Sequence, residues 1–190
     1  MSTVNITNYP NTLNVLDKLN SDTFNSLPHD KVQNGGVIQV AHNIILTSTE
    51  SGVSNEAETS SSSFQQTFLE CDIKPRFTNS AIIVQMSFAA KASGTGSYHQ
   101  FDLRRQIGDL PFTSVNYTNT NGIARWNADI SSNGAAYYHM NIDYVDRPQT
   151  QQPMTYRLYH RNTSGNYTVR VGENSQRAHM LIWEIKHNDT

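Results

Sequence analysis

The sequence predicts an all-β protein: an antiparallel β-sandwich, jelly-roll-like, behind an extended N-terminal arm carrying a short helix. Three observations lead there. From Gly36 onward apolar residues recur with period two, the signature of antiparallel strands that bury one face. None of the six prolines falls inside such a stretch, and glycines 94, 96, 108, 122, 134 and 165 lie between stretches, where strand-breaking residues belong. Before Gly36 the alternation is missing.

Residues 1–35 are therefore read as an arm. Within "NTLNVLDKL", Leu13, Leu16 and Leu19 stand three apart behind the capping candidates Asn11 and Thr12, which predicts a short helix with one apolar edge. Phe24, Leu27 and Val32 extend the apolar set, and the turn-forming "NGG" ends it. So short a helix does not hold in water alone, so the arm is expected to dock on something. Leu13, Leu16, Leu19 and Phe24 are the candidate docking residues.

Residues 36–190 make the sandwich, with strands expected at 36–47, 62–73, 81–92, 97–107, 123–131, 135–145, 154–162, 166–172 and 179–187. In "TFLECDI", Leu69, Cys71 and Ile73 share one face against Glu70 and Asp72. In "AIIVQMSFAA", Ile82, Val84, Met86 and Phe88 alternate with Ile83, Gln85 and Ser87. "HQFDLRRQI" sets Phe101 and Leu103 opposite Asp102 and Arg104, and "NYTVRV" sets Tyr167, Val169 and Val171 opposite Thr168 and Arg170. "TESGVSNEAETSSSS" and "DLPFTSVNYTNTNG" read as surface loops.

The stretch "AYYHMNIDYVDRP", Ala136 to Pro148, looks at first like a cluster of catalytic or metal-binding groups. Period two dissolves it. Ala136, Tyr138, Met140, Ile142 and Tyr144 point to the core, while Tyr137, His139, Asn141 and Asp143 point to solvent or to a partner subunit. Tyr137 and His139 are thus candidate interface residues, and Asp146-Arg147-Pro148 falls at a turn.

Composition narrows the function classes. Of the 190 residues only 36% are hydrophobic and 16% charged, and Ser, Thr, Asn and Gln fill the difference, a balance that suits extracellular or virion β-proteins. The formal net charge is −2 with no run of Lys or Arg, so no basic stripe for nucleic acid is present. A single cysteine, Cys71, excludes a disulfide within one chain and any multi-cysteine metal site; its apolar neighbours make it a buried small hydrophobe. No apolar run approaches the ~20 residues that span a bilayer, so membrane insertion is not expected. The N-terminus lacks a basic start and an apolar run, so synthesis in a cytoplasm is expected.

Catalytic and metal signals are weak. His99, His139, His160 and His179 all fall on expected strands, but no HxH or HExxH spacing occurs, so they read as surface or interface histidines and no metal or other cofactor is expected. "GTGSYHQ" lacks the third glycine of a dinucleotide loop and the lysine of a phosphate loop. There is no G-x-S-x-G elbow, and the carboxylates are scattered singly. The chain is therefore not expected to be an enzyme. Sequons at Asn5, Asn116, Asn162, Asn166 and Asn188 reflect the Asn/Ser/Thr-rich composition. Tyr117 and Trp126 are candidate glycan contacts, since loop aromatics stack on sugar rings.

The segment "IDYVDRPQTQQPMTYRLYHRNTSGNYTVRVGENSQRAHMLIWEIK" resembles the β-sandwich modules of tailed-bacteriophage virion proteins, found in tail fibres, tailspike tips and capsid decoration proteins. Tyr144, Asp146 and Pro148, then Thr155, Tyr156 and Leu158, carry the resemblance, with Glu184 and Ile185 closing the last strand. Upstream, "GGVIQV" and "SSSFQQTFLECDIKPRFTNSAIIVQMSF" fit the first three strands of such modules. The resemblance covers about residues 36–187 and not the arm. It implies a homotrimer on a virion surface, without catalytic activity. An arm of about 35 residues leaves no room for the shaft a receptor-binding fibre needs, which favours a capsid decoration (cement) protein docked on a major capsid protein or another virion protein. A small tail-fibre or tailspike subunit that binds host surface glycans is the alternative.

Overall fold

The computed structural model describes residues 35–46, 56–93, 97–116, 121–128, 135–163, 167–172 and 177–187. The arm, with Leu13, Leu16, Leu19, Phe24 and the expected helix, lies outside the described residues. So does Tyr117. The strands are β1 (Val37–Leu46), β2 (Ala57–Thr59), β3 (Gln65–Ile73), β4 (Ala81–Ser93), β5 (Ser97–Ile107), β6 (Thr113–Ser114), β7 (Ala124–Ala128), β8 (Ala135–Asp146), β9 (Met154–Asn162), β10 (Val169–Val171) and β11 (Arg177–Ile185). The alternation in the sequence located every strand of five or more residues. It also found the three-residue β10, but it missed β2 and β6, which lie in the two stretches read as surface loops and whose AET and TS show no apolar alternation.

All pairings are antiparallel, in two sheets. The first has six strands, β1-β11-β4-β10-β2, with β8 on the other edge of β4. Both β11 and β10 lie on one edge of β4, one after the other, because β11 pairs with Ala81 to Ser87 and β10 with Ala90 to Ala92. The second sheet has five strands, β3-β9-β5-β6, with β7 also on β5. Its long strands and those of the first read β3-β9-β5-β7 and β1-β11-β4-β8, and the chain crosses between sheets on entering β3, β4, β5, β8, β9 and β10. That is the double-sheet arrangement of a jelly roll.

The core lies between the sheets and follows from the period of two. Ile82, Val84, Met86 and Phe88 of β4 are at most 2% exposed, and Leu69, Cys71 and Ile73 of β3 are buried opposite them. Each large side chain so buried contributes roughly 1.5–3 kcal/mol. Phe88 and Phe101 meet edge-to-face across the core with ring centroids 5.2 Å apart. On β3 the ladder to β9 shifts register between Gln66 and Glu70, leaving backbone groups to be satisfied otherwise. The buried Thr67 hydroxyl does this, donating to Leu158 O at 2.8 Å and accepting from Leu69 N at 3.1 Å. The sides of the sandwich are closed by Asn43 Nδ2 donating to Glu70 O (2.8 Å) and by Tyr144 OH donating to Val115 O (2.9 Å).

One glycine cannot be replaced. Gly122 has φ of +78°, and a Cβ there would sit 2.1 Å from Phe101 O, which also accepts from Ile123 N at 2.8 Å. Gly122→Ala is expected to lose more than the ~1–2 kcal/mol that a left-handed alanine alone costs, because backbone must also move. Chemical denaturation reads this as a drop in midpoint; an unchanged midpoint would mean the β5–β7 approach is looser than described.

Candidate functional site

The inner faces of the strands carry polar groups as well as apolar ones. On β5, His99 and Arg105 share the parity of Phe101 and Leu103; on β9, Tyr156, His160 and Asn162 share that of Met154 and Leu158. On β8, Tyr138 and Asp146 fall in the inward set, and on β11 so does Glu184. His99, His160, Asn162 and Glu184 are 0% exposed. The expectation that His99 and His160 are surface or interface histidines is thereby overturned. The signal was present in the alternation itself: a polar residue in register with an apolar face is carried inward with it.

These groups gather at the two ends of the sandwich. At the end where the described chain begins, Arg105 of β5 pairs through Nη1 with Asp146 of β8, and Tyr156 OH of β9 donates to the same carboxylate oxygen at 2.7 Å. The other oxygen accepts from Arg147 N at 2.8 Å. Asp146, expected in a turn, is instead the last, buried residue of β8 and joins the two sheets. Burial and the adjacent carboxylate push the Tyr156 hydroxyl well above its ordinary pKa, so it stays protonated and keeps a proton to donate to Asp146. At the same end Glu184 Oε1 accepts from Ser80 Oγ (2.6 Å), Arg76 N (2.8 Å) and Phe77 N (3.2 Å), and Oε2 accepts from Gln39 Nε2 (2.6 Å). That carboxylate fastens the β3–β4 connection onto β11 and β1. Charge-assisted bonds of this kind are roughly twice as strong as neutral ones.

At the opposite end, His99 Nε2 and His160 Nδ1 are 3.0 Å apart, and Tyr138 OH from the first sheet reaches His99 Nδ1. His160 Nε2 is buried and has no hydrogen-bond partner among the described residues. Burial pushes His160 down to about 4; burial and the neighbouring His160 push His99 well below the ordinary value. Both rings are therefore neutral at pH 7. Trp126 of β7 stacks on Tyr138, centroids 3.7 Å apart at 19°, so one face of the proposed glycan-contact ring is used in packing. Cys71 is buried, and desolvation with the nearby Asp72 charge raises its thiol to about 11, which makes it a poor nucleophile.

The arrangement can bridge sheets but does not converge on a substrate. Among the described residues no group of three or more His, Cys, Asp and Glu is placed to hold a metal ion, and no helix is long and apolar enough to cross a membrane. A hollow lined by Gln39, Lys74, Pro75, Arg76 and Gln151 opens beside the Glu184 network, and its glutamine amides are bonded to the backbone at Lys74 O (2.6 Å) and Arg76 O (2.7 Å).

The outer face of the first sheet is organised differently. Register places Val40, Trp183, Ile83 and Val145 side by side across β1, β11, β4 and β8, an apolar row. Val40 is 45% and Val145 56% exposed. The next row is His42, Leu181, Gln85 and Asp143. Tyr137 and His139 lie on this same face toward the other end of β8: Tyr137 is exposed with Lys91 Nζ 4.9 Å from its ring, and His139 Nε2 is 2.6 Å from Ser87 Oγ. Reading β8 alone placed these two outward but not the apolar row, because a row across four strands needs the register of three pairings.

No protein-family model and no curated protein matches the chain. Among solved structures, Eiger TNF from S. frugiperda aligns with a TM-score of 0.37 and 9% identity, covering 80% of this chain and 94% of that one. The infectious bursal disease virus Gx strain structure aligns with a TM-score of 0.32 and 12% identity, covering 81% of this chain and 38% of that one. Likenesses this distant assign neither a family nor a function.

Proposed function

We propose that the protein is a virion structural subunit: a homotrimeric capsid decoration (cement) protein on the outer head surface, made in the host cytoplasm and docked by its arm on the major capsid protein. The observation that carries this reading is the apolar row on the outer face of the first sheet, which a lone subunit leaves partly in water. An apolar row crossing four strands on a sheet's outer face suits a contact with another protein. The resemblance to phage virion modules points the same way, and the inward polar groups serve to join the sheets rather than to line a cleft. The chain begins β1 at the end of the sandwich that holds Asp146 and Glu184, where Gly35 N donates to Lys186 O at 2.8 Å. In a trimer three arms would leave from that one end, and joint weak docking gains avidity.

Replacing Leu13, Leu16 and Leu19 together with serine is the test. The expected result is loss of binding to undecorated particles, seen by electron microscopy, while the sandwich still folds and assembles. Burying each leucine is worth ~1.5–3 kcal/mol, so single changes should be mild and the joint change severe. If the triple variant decorates particles like the parent, the arm is not the anchor. If it fails to fold, the arm belongs to the sandwich core. The alternative, a tail-fibre or tailspike subunit binding host glycans, is favoured by one feature: Tyr98, with the Arg125 guanidinium 3.5 Å from its ring centroid, and Trp126 lie at the end away from residue 35. Binding to a glycan array that is lost in Tyr98→Ala would support it.

A further inference from the structure

A rotation about an axis parallel to the strands leaves each residue's height along the strand unchanged. Copies arranged cyclically about such an axis, with the outer face of the first sheet turned inward, therefore meet row on row. Apolar Val40, Trp183, Ile83 and Val145 would meet the same apolar row of each neighbour. Cyclic contacts run head to tail, so the β1 edge of one copy meets the β8 edge of the next. On this face those edges are complementary. The β1 edge presents Val40 and His42, and the β8 edge presents Val145 and Asp143 at the same two heights.

The four strands β1, β11, β4 and β8 have 10, 9, 13 and 12 residues. At ~3.3 Å per residue and ~4.8 Å between strands they make a face of roughly 700 Å² per subunit. In a trimer each subunit divides that face between its two neighbours, so the three contacts close together over one shared apolar centre. The two rows carry a single carboxylate, Asp143, and no Lys or Arg, matching the depletion of charge at interface centres.

We propose that the outer face of the first sheet is the threefold contact between copies of this chain, with Val40 of one copy packed on Val145 of the next and His42 facing Asp143. This assignment rests on the homotrimer reading above. The test is the mass of the full chain by light scattering across a dilution series, with circular dichroism and thermal melting as controls for folding. The parent is expected at three times 21.4 kDa. Val145→Asp, at a position 56% exposed and so harmless to the fold, is expected to raise the dissociation midpoint about 100-fold or more. His42→Glu should weaken assembly by setting a second carboxylate against Asp143, and adding Asp143→Lys should restore it. A folded Val145→Asp variant that trimerises like the parent overturns the face assignment and leaves the trimer standing. Failure of Asp143→Lys to rescue His42→Glu overturns the β1-to-β8 pairing. A parent chain that stays monomeric at micromolar concentration overturns both the trimer and its contact.

Discussion

Asp146→Ala is expected to cost about 3–5 kcal/mol, the usual penalty for leaving one member of a buried ion pair without its partner. Arg105 would keep its charge in a site where both partners' side chains are about one-tenth exposed, and Tyr156 OH would lose its acceptor. Against a total stability of about 5–15 kcal/mol for a domain, that is between a fifth and the whole of it. The size of the effect comes from a buried charge losing its countercharge rather than from the strength of the pair. Replacing Arg105 and Asp146 together with Met and Leu should therefore cost far less than the sum of the single changes. Tyr156→Phe keeps the ion pair and removes only the hydroxyl beside it, so it should cost about 1–2 kcal/mol. Urea denaturation of Asp146→Ala, Tyr156→Phe, the double variant and its two single changes measures this directly. A cost for Asp146→Ala below about 1 kcal/mol would mean that water reaches Arg105 and that the bridge does not hold the sheets.

The outline of this network was legible in the sequence, but its meaning was not. Alternation placed Ile82, Val84, Met86 and Phe88 inward, and they are the centre of the core. The same alternation carries His99, Arg105, His160, Asp146 and Glu184 inward, yet each reads as a surface residue when judged by chemistry alone. Whether a polar residue on an apolar face is buried depends on a partner from another strand, and those partners lie far away in sequence: Arg105 and Asp146 are 41 residues apart, Ser80 and Glu184 104. Asp102 shows the converse. Its parity faces out as expected, but it is 2% exposed, because Ser114 Oγ of the two-residue β6 donates to it at 2.7 Å and Arg104 Nε at 2.9 Å. A strand too short to show a period covered it. The apolar row of Val40, Trp183, Ile83 and Val145 likewise exists only once three strand registers are known.

Acid should unfold the protein earlier than its carboxylates alone would dictate, because of the pair at the other end of the sandwich. His160 titrates at about 4 when folded against an ordinary 6.5, and His99 is lowered in the same sense, burial being the main cause for both. The sign follows from which state binds protons. Above pH 6.5 both rings are neutral in the folded and unfolded chains, and stability is flat with respect to them. Below 6.5 the unfolded chain takes up protons that the folded chain refuses, so stability falls as pH falls, levelling for His160 only below about 4. At pH 4.5 the loss from His160 alone comes to about 2–3 kcal/mol, and His99 adds to it. His160→Met removes one titrating ring while filling the space with an unbranched, adaptable side chain. The variant should be less stable than the parent at pH 7.5 and should lose about 2–3 kcal/mol less between pH 7.5 and 4.5, read from urea midpoints at each pH. Subtracting the two curves cancels the carboxylates, which titrate equally in both proteins. Parallel curves would mean that the folded protein accepts a proton at this pair as readily as the unfolded chain does. The buried Tyr138–His99–His160 contacts oppose that: among the described residues the only oxygen bonded to either ring is the Tyr138 hydroxyl, and a charged ring would need a carboxylate there.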